Sequence, residues 1–137
     1  MAMQKRFPVS HADVFPQGAF LVGGVETVSD FNAPARADGS RPQQLDKDSG
    51  LPLWSVQVVD ADEQAGKRDR TLTIKIAASV QPVPPKNETP FPFTPVTFGE
   101  LSALPWVDDS GQRPRIAWSF RATGFVSPSA SASGKGE

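Results

Sequence analysis

The sequence predicts an all-β protein, built as one small domain of short strands joined by polar turns. The chain has 137 residues, and its 14 prolines and 11 glycines favour turns over long helices. Apolar and polar residues alternate with a period of two in several segments, as they do in half-buried strands. A hydrophobic content of 38%, with nine Phe and three Trp, is enough for one core. We therefore expect a β-barrel domain over residues 17–126, an N-terminal arm over 1–16 and a tail over 127–137.

The first predicted strand lies within residues 18–31. This segment is rich in Phe, Leu and Val, which favour strands, but Gly23 and Gly24 interrupt it. A glycine pair inside a strand indicates a bulge or a sharp bend. Residues 32–43 then combine prolines and a glycine with small polar side chains, and they predict a surface loop.

Residues 46–50, DKDSG, predict a hairpin-type turn, because Asp and Ser favour turns and Gly50 can adopt a positive φ. The turn joins a short strand at 43–45 to a strand at 53–61, in which alternation places Trp54 in the core. Spaced carboxylates are also found in calcium loops. Here the twelve-residue pattern and its closing Glu are missing, so the turn is the preferred interpretation.

Two further strands alternate clearly, at residues 71–77 and 115–125. Their apolar faces are expected to be buried, and they comprise Leu72, Ile74, Ile76, Ile116, Trp118 and Phe120. Lys75, Arg115 and Arg121 fall on the opposite faces. These cations are therefore predicted to point outward from the sheet.

The segments between these strands predict loops and a second hairpin. Residues 80–95 contain six prolines, too many for a helix or a central strand, so we expect a long extended loop. Residues 96–107 predict either a strand interrupted by Gly99 or a short helical turn followed by a strand. Residues 108–111, DDSG, predict a hairpin turn, and the Ser/Ala/Gly-rich tail at 127–137 is expected to be disordered.

Composition and charge exclude several functions. A net charge of −1 and a pI near 5.8 give no overall attraction to nucleic acid, so any such binding needs a local patch. Cysteine is absent and His11 is the only histidine, which excludes thiolate sites and histidine clusters. Gly23 and Gly24 lack the spacing of a phosphate loop. We expect no catalytic residues, no metal and no cofactor. Because no apolar run reaches the length of a signal peptide or a membrane span, we also expect a cytoplasmic protein without a membrane partner.

Basic residues define a candidate site for nucleic acid. Lys75, Arg115 and Arg121 are expected to contact phosphates from the outward faces of their strands. Further cations crowd the neighbouring turns, namely Lys67, Arg68, Arg70 and Arg113. An ordinary solvated surface of mixed charge is the alternative. If the cations do bind DNA, charge reversal at Lys75 together with Arg121 should lower the affinity without unfolding the protein.

Aromatic residues in or beside loops are candidates to stack on bases. Phe91 and Phe93 lie in the proline-rich segment, and Trp106 lies beside the second hairpin turn. Stacking on an aromatic side chain contributes about 1–3 kcal/mol per base and tolerates any sequence. For each of the three, capping one end of the barrel is the alternative.

Three segments of the chain resemble a known family: LDKDSGLPLWSVQVVDAD, KRDRTLTIKIAASVQPVPP and PRIAWSFRATGF. Together they resemble actinobacterial proteins of integrative conjugative elements and plasmids, the replication, integration and excision activators. The resemblance covers residues 15–126 and includes no short diagnostic motif. The pattern D-K-x-S/T-G-x-P-x-W, from Asp46 to Trp54, is also similar to that of small helicase processivity factors of conjugative elements. Filamentous-phage single-strand binders are likewise small β barrels.

These resemblances imply an OB-like or related five- to six-stranded antiparallel barrel with a long proline-rich loop. They imply an accessory protein that binds single-stranded DNA in the replication or conjugative transfer of a mobile genetic element. The alternative is a protein-binding adaptor that recruits a helicase, relaxase or recombinase through a strand edge or the proline-rich loop. A regulator on duplex DNA is less favoured because no helix-turn-helix pattern is present. An exposed strand edge is also compatible with a homodimer.

Overall fold

The computed structural model describes residues 5–66 and 70–126, and in these residues the protein is mostly β. The all-β class is therefore confirmed. The elements in chain order are β1 (Phe7–Pro8), α1 (His11–Val14), β2 (Ala19–Thr27), β3 (Leu53–Asp60), β4 (Thr71–Ala77), β5 (Thr94–Val96), β6 (Phe98–Gly99), β7 (Ser102–Asp108), β8 (Arg115–Ala122) and β9 (Gly124–Phe125). Within the described residues, the structure contains no helix with the length and hydrophobicity of a membrane-spanning segment.

Seven strands form one sheet in the order β1-β7-β8-β4-β3-β2-β5, and β6 pairs with β9 in a separate two-stranded sheet. The pair β4–β8 is parallel, so the expectation of a wholly antiparallel sheet is wrong. The reason is the route of the chain. After β4 it crosses through the proline-rich loop and runs back along β5 to β7, so β8 returns beside β4 in the same direction. Among the described strands, the sheet is not closed into a barrel.

The apolar faces of β3 and β4 meet in the core, as alternation predicts. Ile74 and Ile76 are completely buried, and Val56 and Val58 of β3 are buried beside them. Lys75, between the two isoleucines, is exposed on the opposite face. The amphipathic pattern of this strand is thus confirmed.

Glycine forms a β-bulge in β2, as the sequence predicts. The register with β3 shifts between Val22 and Glu26, and Gly23 has a φ of 75°. Only glycine adopts this conformation readily. The bulge bends β2 between the two segments that pair with β3, on either side of the register shift.

The DKDSG segment forms the predicted turn before β3. The amide of Asp46 donates to the carbonyl of Leu51 at 2.8 Å, and the amide of Gly50 donates to the carbonyl of Asp46 at 2.8 Å. Gly50 has the positive φ that the turn requires, 76°. Trp54 follows on β3 and is partly buried against the core.

Gly50→Ala is expected to lower the free energy of unfolding by about 1 kcal/mol, because an L-residue is strained at this φ. Among the described residues, no atom lies within 4 Å of a Cβ built at Gly50, so the expected cost comes from the backbone. Gly111→Ala is the control, since its surroundings are equally open and its φ is not positive. Urea denaturation of both variants measures the effect. Equal losses in the two would contradict this account of the turn.

Residues 5–16, from the predicted N-terminal arm, pack into the domain. Phe7 pairs with Ala103 of β7, and Phe15 is among the largest fully buried side chains. The Nδ1 atom of His11 accepts a hydrogen bond from the amide of Phe98 at 3.2 Å. His11 therefore has a structural role, and burial lowers its pKa.

The prediction that Ile116 and Trp118 are buried is wrong. Ile116 is 68% exposed and Trp118 is 48% exposed. The parallel pairing with β4 covers β8 only from Phe120 to Ala122. Among the described strands, the first half of β8 pairs with β7 alone, so the hairpin projects beyond the sheet. Alternation assigned these residues to the correct face, but the described elements cover that face only in part, since Phe7 packs against Trp118 and Ile116 stays exposed.

The proline-rich segment is a loop as far as Phe93, and its last residues differ from the prediction. Thr94–Val96 form β5, which includes Pro95 and ends the sheet order. Proline is tolerated there because an edge strand needs no donor on its free side. Residues 96–107 follow the first of the two alternatives, since they are extended and the strand structure is interrupted after Gly99, between β6 and β7.

Candidate nucleic-acid interface

The outward face of β4, β7 and β8 brings together three of the predicted site residues. Lys75 is the register partner of Arg121 across the β4–β8 pair. Ser102 of β7 faces Arg121 from the other side. Trp106 lies four residues beyond Ser102 and therefore on the same face. Lys75, Arg121 and Trp106 thus share one surface of the sheet.

A groove of about 430 Å³ lies over this surface, and a cavity of about 950 Å³ adjoins it. The two share residues, and we call them together the basic groove. Its cations are Lys5, Arg6, Lys47, Lys75 and Arg121. Its carboxylates are those of Asp46, Asp48 and Glu100. The groove therefore has an excess of positive charge in a chain whose net charge is −1.

Arg121 connects the DKDSG turn to β8. Its Nη1 atom donates to the carboxylates of both Asp46 and Asp48, at 2.9 Å for Asp48. Asp46 is buried and also accepts hydrogen bonds from the amide and hydroxyl of Ser49, at 3.1 and 2.7 Å. Burial opposes ionisation of Asp46, but the Ser49 hydrogen bonds and the charge of Arg121 outweigh it and lower its pKa. A buried ion pair therefore holds the turn in place.

This ion pair makes Arg121 unsuitable for the charge-reversal test that the sequence proposes. A glutamate at position 121 would place a new carboxylate beside Asp46 and Asp48. Leaving a buried charge without its partner is strongly destabilising. Loss of binding in such a variant would then report unfolding as much as lost phosphate contact.

Arg6 brings a second guanidinium to the same place. Its Nη1 atom donates to the hydroxyl of Ser102 at 3.4 Å, and that hydroxyl donates to the carbonyl of Arg121 at 3.3 Å. Burial and the positive charge of Arg121 lower the pKa of Arg6, while Asp48 and Asp46 raise it. An arginine so placed still stays protonated. The groove thus contains two neighbouring guanidinium groups.

Three of the other predicted cations lie outside the basic groove. Arg115 forms an ion pair with Asp108 at 3.4 Å, in the hairpin that also carries the exposed Arg113. Arg70 donates to the carbonyls of Glu63 and Ala65 at 3.2 and 3.1 Å and so closes its own turn. Two further candidates, Lys67 and Arg68, lie outside the described residues.

The predicted stacking residues are also separated in space. Trp106 is exposed on the face that carries Lys75. Phe91 and Phe93 are exposed too, but they belong to the loop that leads into β5 and line neither part of the basic groove. Only Trp106 is therefore placed beside the candidate site.

Sequence reasoning missed Lys5, Arg6 and Lys47. The dibasic pair Lys5–Arg6 and the lysine inside the DKDSG turn were visible signals, but nothing local tied them to Lys75. The N-terminal pair reaches the groove because β1, only two residues long, pairs with β7. A strand this short shows no periodicity.

Comparisons of the chain with family models, with curated proteins and with solved structures find no match. The geometry of the described residues therefore carries the functional argument. Within them, no three His, Asp or Glu side chains are grouped as a metal ion would require.

A further exposed aromatic lies in the loop between β2 and β3. Phe31 is exposed, and the guanidinium carbon of Arg41 lies 5.6 Å from the centroid of its ring. Arg41 is held by a hydrogen bond of 2.7 Å to the carbonyl of Ala33. The same loop contains the DKDSG turn, so it presents both an aromatic ring and part of the basic groove.

The projecting half of the β7–β8 hairpin forms an exposed apolar surface, which we call the apolar arm. It comprises Val107, Ile116 and Trp118, which share the face of the hairpin opposite Trp106. Phe7 packs against Trp118 edge to face, with ring centroids 6.0 Å apart. An exposed apolar patch of this kind is typical of binding surfaces.

Proposed function

We propose that the protein binds single-stranded DNA along the basic groove, as an accessory factor in the replication or conjugative transfer of a mobile genetic element. The clustering of Lys5, Lys47 and Lys75 around one groove is the observation that carries this proposal. All three are exposed, and a single strand needs such a positive track for its phosphates. The mobile-element context comes from the resemblance of the segments around DKDSG. We also propose that the protein is cytoplasmic and that it is not an enzyme.

The strand order supports an OB-like architecture, which we infer as part of this proposal. Strands β2, β3, β4, β8 and β7 follow the order first, second, third, fifth, fourth, with the third and fifth parallel. β5, which leads towards β7, pairs back with β2. In OB folds the face of the second and third strands and the flanking loops bind oligonucleotides. The corresponding face here carries Lys75, and the corresponding loop carries Lys47.

Aromatic side chains supply the second requirement of a single-strand site. Trp106 lies on the same sheet face as Lys75, and Phe31 lies in the loop that carries Lys47. Each contributes about 1–3 kcal/mol if a base stacks on it. We therefore expect a bound strand to cross the sheet between these two rings, with its phosphates in the groove.

Lys75→Glu is expected to weaken the binding of a single-stranded oligonucleotide roughly tenfold, because it removes a phosphate contact and adds a repulsive charge. Fluorescence anisotropy at two salt concentrations measures the affinity and its salt dependence. Lys86→Glu is the matched control, since Lys86 is exposed and lines neither part of the groove. Lys75 is exposed on its strand, so neither change should affect folding, which circular dichroism checks.

Two results would overturn the proposed function. One is the absence of any salt-sensitive binding to oligonucleotides of about 20 nucleotides, a length that exceeds typical single-domain site sizes. The other is an equal loss of affinity in the Lys75 and Lys86 variants. Such a result would mean that the affinity depends on the net charge of the protein and not on the position of Lys75. A parallel titration with duplex DNA separates a single-strand binder from a duplex binder.

The apolar arm favours a second candidate function, an adaptor that recruits a helicase, relaxase or recombinase. Recruitment through a strand edge is disfavoured, because β1, β5 and β7 contain Pro8, Pro95 and Pro105, and proline blunts an edge for strand addition. Trp118 and Ile116 on the arm would be the contacts instead. A pull-down that survives nuclease treatment and is lost in Trp118→Ser would support the adaptor.

A further inference from the structure

The carboxylate of Asp48 lies inside the basic groove, at a place where another anion could contact Arg121. Its Oδ2 atom lies 2.9 Å from Nη1 of Arg121, yet its side chain is 68% exposed. Within the described residues, this is the only hydrogen bond that its carboxylate makes. Asp46 differs, because it is buried and also holds Ser49. The contact of Asp48 with Arg121 is therefore separable from the structure of the turn.

The two guanidinium groups have unused donors. Arg121 and Arg6 each donate side-chain hydrogen bonds only through Nη1, as far as the described residues show. Both line the larger part of the groove, together with Lys5 and Ser102. A guanidinium carries five N–H donors in a fork that matches the oxygens of a phosphate.

We propose that Arg6 and Arg121 form a phosphate subsite in which Ser102 positions the Arg6 guanidinium, and that Asp48 occupies this subsite in the free protein as an internal competitor. A phosphate oxygen takes the place of the Asp48 carboxylate on Arg121, while Asp46 keeps its own contact. The subsite deepens the proposed function and depends on it for the identity of the phosphate as part of a DNA strand. The chemistry recognised is the tetrahedral oxyanion, whether from a strand or from free phosphate.

The energies favour such an exchange. An ion pair with a solvent-exposed partner contributes little to stability, so releasing Asp48 into water costs little. A phosphate offers several oxygens that can accept hydrogen bonds from both guanidinium groups at once. These charge-assisted hydrogen bonds together are stronger than the single contact that Asp48 makes. The positive charge of Arg6 beside Arg121 strengthens the attraction for a phosphate further. One bound anion reduces the repulsion between the two guanidinium groups.

Asp48→Asn tests the subsite. The variant should bind a single-stranded oligonucleotide about three- to tenfold more tightly at low salt, because a competing negative charge is removed from the phosphate position. Asp109→Asn is the control with the same change in net charge, since Asp109 is exposed in the β7–β8 turn and outside the groove. Its affinity should match the wild type. Adding Arg6→Gln to Asp48→Asn should abolish the gain.

A second titration, with inorganic pyrophosphate, separates this inference from the proposed function. Arginine Nε–Hε signals of ¹⁵N-labelled protein report the binding, and pyrophosphate should shift those of Arg6 and Arg121 at lower concentration in Asp48→Asn. If this occurs while no oligonucleotide binds, the subsite holds and the proposed function fails. If oligonucleotide binds and Asp48→Asn gains nothing over Asp109→Asn, the subsite is overturned. Asp48→Ser replaces Asp48→Asn if the latter unfolds at a lower temperature than the wild type.

Discussion

Ile74→Ala is expected to lower the free energy of unfolding by about 3 kcal/mol, the usual cost of emptying a well-packed isoleucine site. Ile74 has 0% exposure and lies at the centre of the sheet, between Val56 on β3 and Phe120 on β8. Neither neighbouring strand can collapse into the space without losing its pairing. The deletion therefore leaves a cavity in addition to the lost transfer energy.

Ile116→Ala is the matched control, because it removes the same atoms from a side chain that is 68% exposed. It should cost less than about 1 kcal/mol, as surface changes usually do. Urea denaturation of both variants gives the two free energies. Losses of similar size would mean that the apolar arm is covered in solution and that its projection from the sheet is wrong.

Asp46→Ala is expected to cost about 3 kcal/mol, because it breaks a largely buried ion pair and leaves Arg121 with only the exposed Asp48 as a counter-charge. The change removes the buried counter-charge of Arg121 and the acceptor for the amide and hydroxyl of Ser49. Asp48→Ala removes the other carboxylate from the same guanidinium. Since Asp48 is exposed, its loss should cost less than about 1 kcal/mol.

The contribution of Asp46 should also depend on pH. Its pKa is lower in the folded protein than in the unfolded chain, so its stabilisation is fully present above the unfolded value, about 3.9. It is lost as the pH falls through the folded pKa, where both states become protonated. The difference in stability between the wild type and Asp46→Ala should therefore be constant near pH 7 and shrink below about pH 4. A difference that persists or grows in acid would contradict the buried ion pair.

Much of the fold follows from local sequence. The alternation in residues 71–77 placed Ile74 and Ile76 inward and Lys75 outward, because a strand directs successive side chains to opposite faces. The glycine pair in β2 and the DKDSG turn were predicted from the backbone freedom of glycine and the turn preference of Asp and Ser. These are properties of a few consecutive residues.

The candidate site is less accessible to such reasoning. Alternation put Lys75, Arg121 and Trp106 on outward faces, but it could not pair them with the residues that decide their behaviour. The bond from Arg121 to Asp48 spans 73 residues, and that from Arg6 to Ser102 spans 96. Such contacts depend on the strand order. This order is not that of a simple meander, because β4 and β8 are parallel neighbours.

Local sequence specifies the all-β class, the turns and the face on which each side chain lies, because periodicity and turn chemistry act over a few residues. Which of those faces are covered and which charges meet depends on contacts between strands that are distant in the chain. Ile74 and Ile116 follow the same pattern, yet neighbouring strands flank Ile74 on both sides and leave Ile116 exposed. Strand length, register and topology control coverage, and they are set by interactions between segments distant in the chain. The DKDSG turn shows both levels, since its shape is local and its ion pair with Arg121 is not.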